Sequence, residues 1–86
     1  QAGKRPALVI SPALHNAKTN LTFVCPITSQ VKNYPFEVLI KAKKIKGVVL
    51  VNQIKTIDWK ARPIDFIEKI SVSSLNEVLG KLRTLI

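Results

Sequence analysis

Apolar residues in this chain recur at every second position or in short β-branched runs, interrupted by proline, glycine and polar clusters. That spacing predicts strands over most of the length. Residues 6–11 (PALVIS) are β-rich and stop at Pro12, as a buried strand does. Residues 13–20 carry His15, Asn16, Lys18, Thr19 and Asn20 and read as a polar connection with room for one helical turn. Residues 21–27 (LTFVCPI) predict a second strand, with Pro26 near its end, where a ladder bond can be spared. Residues 28–35 (TSQVKNYP) read as an exposed loop, and residues 36–41 alternate as a third strand would. A lysine-rich turn at 42–46 closes at Gly47. Residues 48–58 are β-branched throughout and fit one long bent strand or two shorter ones. After Trp59 the chain breaks at Lys60, Arg62 and Pro63, and residues 66–71 (FIEKIS) predict a last short strand.

Helical periodicity is confined to the tail. Leu75, Val78, Leu79, Leu82 and Ile86 fall on one face at 3.6-residue spacing. Ser74, with Glu77 three residues later, matches a capping box and sets the helix start there. Gly80 inside this helix costs about 1 kcal/mol relative to alanine, which predicts a close packing contact at that position. Residues 1–86, without repeats or linkers, therefore read as a single domain. The fold class is mainly β with a C-terminal helix, arranged as a small, partly open antiparallel barrel.

Length and charge sharpen this picture. A chain of 86 residues buries only about 60–65% of the surface it exposes when unfolded, so dimerisation is expected. Fourteen Lys and Arg against five Asp and Glu give a net charge of +9, which favours a polyanionic partner such as nucleic acid or an acidic protein segment. The longest apolar runs, such as residues 47–51, are too short to cross a bilayer as a helix. Cys25 is alone, falls in a predicted strand and fits a reduced, cytoplasmic protein. The chain opens at Gln1, in a turn-like stretch, and an upstream segment is expected before it.

Several chemistries are excluded by the residue inventory. One His and one Cys cannot build a usual zinc site, and the five carboxylates are scattered, so no metal and no cofactor is expected. No glycine-rich phosphate loop is present, and one histidine cannot run a two-histidine acid–base scheme. What remains is metal-free phosphate chemistry on RNA. There the 2′-hydroxyl is the internal nucleophile, and the protein positions the strand and stabilises an anionic transition state.

The stretch QAGKRPALVIS (residues 1–11) resembles the signature of the MazF/PemK family of toxin ribonucleases, a turn carrying Gly and Arg-Pro into a strand. The match continues in order through CPITSQ (25–30), NYPFEV (33–38), GVVLVNQIKTIDW (47–59) and the C-terminal helix. The resemblance thus covers essentially the whole chain. It implies the family's SH3-like, MazF/CcdB-type barrel, a homodimer, and cleavage of single-stranded RNA at a short sequence to a 2′,3′-cyclic phosphate and a 5′-hydroxyl. It implies as partner an acidic, MazE-like antitoxin segment that fills the RNA groove, and no membrane. A further strand and loop precede the matching stretch in the family.

By the same resemblance, the family's catalytic arginine maps onto Arg5 and its hydroxyl onto Thr28. Gln1, Gly3, Lys4 and Ser29, which flank them, are assigned to RNA binding. Gln30, Gln53 and Lys55 are candidate RNA contacts by residue type, Gln for base edges and Lys for phosphate. Taken alone, Lys4-Arg5-Pro6 reads as a solvated basic pair, Thr28 and Ser29 as loop-capping hydroxyls, and the other three as solvent-facing strand residues. Tyr34 and Trp59 are candidates for base stacking, whereas Phe36 fits the core better. Lys41, Lys43, Lys44 and Lys46 read as an electrostatic guide or a solvated turn. The competing class is a non-catalytic toxin of the same fold that poisons a protein target such as gyrase, or an inactive RNA binder; Arg5 with Thr28 favours the nuclease.

Overall fold

The computed structural model describes residues 5–61 and 64–86. Five strands and two α-helices follow one another as β1 (Ala7–Val9), α1 (Ala13–Thr19), β2 (Leu21–Thr28), β3 (Glu37–Lys41), β4 (Lys46–Leu50), β5 (Lys55–Asp58) and α2 (Val72–Leu85). All pairings are antiparallel, and the sheet is open, with β2 at its centre. Val24 pairs with Val9 of β1 and with Lys55 of β5, so those strands lie on opposite edges of β2. Beyond that point β2 leaves β5 and pairs with β4 through Ile27 and Thr28. The strand thus joins two halves of the sheet, and the alternation of its buried residues slips at the junction, where Val24 and Cys25 are both buried.

The core is small and mostly valine. Val38, Val49 and Val51 pack with Leu8, Cys25 and Ile40 beneath Val78 of α2, and Leu75 and Leu82 seal the helix side. Burial pushes the Cys25 thiol pKa above its ordinary value, as expected for a thiol serving as a core residue.

The strands predicted at 6–11, 21–27, 36–41 and 48–58 are present, and four readings elsewhere differ. Residues 13–20 form a seven-residue helix, Ala13–Thr19, closed by Asn20 in the left-handed conformation, whose amide donates to the Asn16 carbonyl at 2.9 Å. Asn tolerates that conformation better than most residues. Residues 48–58 take the two-strand form of the two expected, with a single 3₁₀ turn at Val51–Gln53 between β4 and β5. Residues 66–71 are not a strand. They have no ladder partner, and Glu68 instead spends its carboxylate on backbone amides of the 42–45 turn. Helix α2 starts one turn before Ser74. Ser71 is the N-cap and accepts from the Ser74 amide at 3.1 Å, because it meets the same requirement for an oxygen three residues ahead. Gly80 faces open space, with nothing within 4 Å of a Cβ built there, and Ile86 is 92% exposed, so neither belongs to the packed face.

Candidate active site

Strand register brings Arg5 to Thr28 although 23 positions separate them in the chain. β1 pairs Ala7 with Pro26, and continuing that antiparallel count sets Pro6 beside Ile27 and Arg5 beside Thr28. The Ile27 amide donates to the Pro6 carbonyl at 3.1 Å, so the alignment persists past the last ladder pair. Across the other edge of β2, Thr28 pairs with Val48 of β4. Thr28 is therefore fixed by β4 on one edge, one residue beyond the last β1-side bond at Ile27 on the other.

The 42–45 turn completes the site. Its ends are joined by the Ala42 amide, which donates to the Ile45 carbonyl at 2.9 Å. Arg5, Thr28 and Ser29 line a cleft of about 340 Å³ together with Lys44 and Lys46, floored by Pro6, Ile27 and Ile45. Three cationic side chains and two hydroxyls thus share one opening. Among the described residues its lining contains no carboxylate. Such a cleft draws in an anion.

A backbone bond fixes the Thr28 hydroxyl. Its Oγ1 accepts from the Gln30 amide at 3.2 Å. That bond occupies a lone pair and leaves the hydroxyl proton available for donation to a ligand oxygen. Thr28 therefore fulfils the loop-capping role and keeps a donor for the cleft.

The turn itself is anchored by Glu68. Its carboxylate accepts from the amides of Lys43 at 3.2 Å, Lys44 at 2.7 Å and Ile45 at 2.7 Å. Desolvation raises the Glu68 pKa, but these three amides and the Lys44 charge outweigh it and hold the group below the usual carboxylate range.

The remaining candidates are distributed as follows. Arg5, Thr28 and Ser29 meet in the cleft, while Gln30 adjoins it through its amide only. Gln53, in the 3₁₀ turn, and Lys55, opposite Val24, are exposed and outside the lining. Gln1, Gly3 and Lys4 lie outside the described residues. Trp59 is structural, its indole N–H donating to the Asn16 carbonyl at 2.9 Å. Tyr34 remains exposed and packs on Phe36, ring centres 5.2 Å apart. His15 sits in α1 against Phe23, away from the cleft lining. Sequence reasoning left Lys44 and Lys46 in a general basic guide and gave Glu68 no role. The signal for the lysines was Gly47, whose position marks a close approach of β4 to another backbone.

A family model described as "PemK-like, MazF-like toxin of type II toxin-antitoxin system" matches residues 1–86. The chain is 40% identical over 86 residues to a protein of Escherichia coli K12 named endoribonuclease toxin MazF, covering all of this chain and 78% of that one. It is 38% identical over 91 residues to Escherichia coli endoribonuclease PemK, of which it spans 68%. Among solved structures, a MazE–MazF complex from Deinococcus radiodurans superposes with a TM-score of 0.92 at 43% identity, over 99% of this chain and 84% of that one.

Proposed function

This chain belongs to the PemK-like, MazF-like toxin family, and from that premise we propose that its basic cleft cuts single-stranded RNA at a short sequence without a metal ion. The observation that carries the reading is the register that sets Arg5 beside Thr28 in a cleft shared with Lys44 and Lys46. In this mechanism the 2′-oxygen of the substrate attacks the adjacent phosphorus and loses its proton. The bond to the 5′-oxygen breaks, and that oxygen takes up a proton. The products are a 2′,3′-cyclic phosphate and a 5′-hydroxyl.

Arg5 clamps the non-bridging oxygens through two parallel N–H bonds and stabilises the charge that accumulates in the transition state. A guanidinium with a pKa above about 12 is a poor proton acceptor, so the arginine is an electrostatic group and not the base. Thr28 donates its hydroxyl proton to one of those oxygens. Ser29 and Gln30 border the same strand of RNA, and Gln1, Gly3 and Lys4 are further RNA contacts by family resemblance. Contacts by Gln53 and Lys55 require the RNA to run back along β2 from Thr28 to Val24, about 13 Å at the rise of an extended strand.

A second polyanion suits the same surface. An acidic, MazE-like antitoxin segment would occupy the cleft by the same charge complementarity and exclude RNA. The toxin itself would act as a homodimer in the cytoplasm. Among the described residues no helix is long and apolar enough to cross a membrane.

The test is incubation of the purified chain with a long single-stranded RNA in EDTA, followed by end-group analysis. Discrete cuts, with new 5′ ends that polynucleotide kinase labels without prior dephosphorylation, are expected. Inhibition of gyrase supercoiling with no RNA cut would replace the nuclease with a protein-directed toxin.

A further inference from the structure

Glu68 joins two parts of the fold that share no strand pairing. Its carboxylate gathers three consecutive backbone amides, those of Lys43, Lys44 and Ile45. Consecutive N–H groups converging in a turn form an anion-binding concavity, and here the anion is supplied from within the chain. The turn so held presents Lys44 and Lys46 to the cleft that contains Arg5 and Thr28. Glu68 itself does not line that cleft. It lines a separate hollow of about 550 Å³, with Lys41, Lys43, Lys69 and Ser71. Glu68 therefore makes no direct contact with the cleft, and its structural influence there passes through the turn.

We propose that Lys44 and Lys46 form a second phosphate-contact subsite for RNA beside the Arg5–Thr28 centre, and that Glu68 is the positioning residue that holds this subsite in place. The inference rests on the nuclease reading and deepens it. Arg5 and Thr28 serve the reacting phosphate, and the two lysines bind a neighbouring one. Lysine meets phosphate as a point charge on a flexible stem, so the subsite adds affinity and register without reading bases. Without its three amide bonds the 42–45 turn is left with the Ala42–Ile45 bond and the flanking Lys41–Lys46 pair, and Lys44 loses its fixed approach to the cleft.

The sign of one substitution separates this from simple electrostatics. Glu68→Gln removes a negative charge from a chain already at +9, so long-range attraction alone would tighten RNA binding. Positioning predicts the reverse. The probe is a fluorescein-labelled 2′-O-methyl RNA 20-mer of mixed sequence, which lacks the nucleophile and reports binding alone by anisotropy between 50 and 200 mM KCl. Lys44→Ala and Lys46→Ala should each weaken binding about 3- to 10-fold and lower the salt slope by about one. Glu68→Gln should weaken it about 3-fold or more, and with cleavable RNA should raise KM by a larger factor than it lowers kcat. Combined with Lys44→Ala it should add little, because both act on one contact. The lysine variants retain every Glu68–backbone bond, so they test the subsite even if Glu68→Gln folds poorly. Tighter binding by Glu68→Gln would overturn the positioning role and mark the carboxylate as a competitor for RNA phosphate. Unchanged affinity and salt slope in both lysine variants, with cleavage intact, would overturn the subsite alone. A wild-type chain that neither binds the probe nor cuts RNA would remove the nuclease reading together with the inference.

Discussion

Gly47 lies against the carbonyl of Thr28 so closely that a Cβ at position 47 would overlap its oxygen and reach to 3.0 Å from its carbon. The glycine also has φ of +153°, a value that L side chains rarely adopt. The candidate catalytic threonine therefore depends on a residue with no side chain on the neighbouring strand. β4 pairs with β2 beside this point, through Val48 and Thr28, and only hydrogen at Cα permits so close an approach. Gly47→Ala should push Thr28 and Ser29 out of register with Arg5. The expected result is a stability loss of about 1–3 kcal/mol in a denaturant melt and a fall in cleavage larger than the fall in folded fraction. Wild-type cleavage by Gly47→Ala would show that Thr28 tolerates displacement.

Arg5 and Thr28 should respond differently to conservative change. Arg5→Lys keeps the charge but loses the fork that grips two oxygens, so it should remain about 10²- to 10³-fold slow, much like Arg5→Ala. Thr28→Ser retains the hydroxyl and should recover most of the activity that Thr28→Ala loses. Single-turnover rates at saturating RNA separate these effects from binding.

The start of α2 can be assigned by stability. Ser71→Ala removes the acceptor of the Ser74 amide and should cost about 1 kcal/mol. Ser74→Ala should cost distinctly less. Equal losses on thermal melting would return the cap to Ser74.

Gly80→Ala should stabilise the chain by about 0.5–1 kcal/mol, since the helical position is exposed and a Cβ there meets nothing within 4 Å. A loss of stability would mean that a second copy packs closely against this face of α2.

Glu68 gives a pH signature. Its pKa in the folded chain is depressed, so the anchor is fully present above the unfolded value of about 4.3 and is lost as pH falls through the lower folded value. Amide resonances of Lys44 and Ile45 should therefore titrate together with a midpoint below about 4.3. In Glu68→Gln that titration should be absent. A midpoint above 4.3 would mean that the three amide bonds do not stabilise the charged form.

The strands were legible because their signal is local: alternation in residues 36–41, β-branching in 48–58 and a stop at Pro12 each specify the element that contains them. The segment at 66–71 misled because its apolar content is strand-like, while its structural role lies in one side chain that reaches back 23 to 25 positions. No local pattern encodes such a bond. The start of α2 was off by one turn because Ser71, Ser73 and Ser74 all suit a cap, and tertiary packing selects among them. Arg5 and Thr28 were found through family resemblance and not through spacing. The register of β1 on β2 explains afterwards why those two positions meet. Lys44 and Lys46 could not be separated from Lys41 and Lys43 in the sequence, since all four read as a solvated basic run. The turn sends the first pair to the cleft with Arg5 and the second pair to the neighbouring hollow.

The central claim is that Arg5 and Thr28 together carry out the chemistry in this cleft. Its most direct test is single-turnover cleavage of one mapped RNA site in EDTA by wild type, Arg5→Ala and Thr28→Ala, with binding of the 2′-O-methyl RNA followed in parallel. Metal-independent cutting by wild type, lost by about 10²-fold or more in both variants while affinity changes far less, is the predicted result. Cutting that persists in both variants, or that EDTA abolishes in wild type, would contradict it.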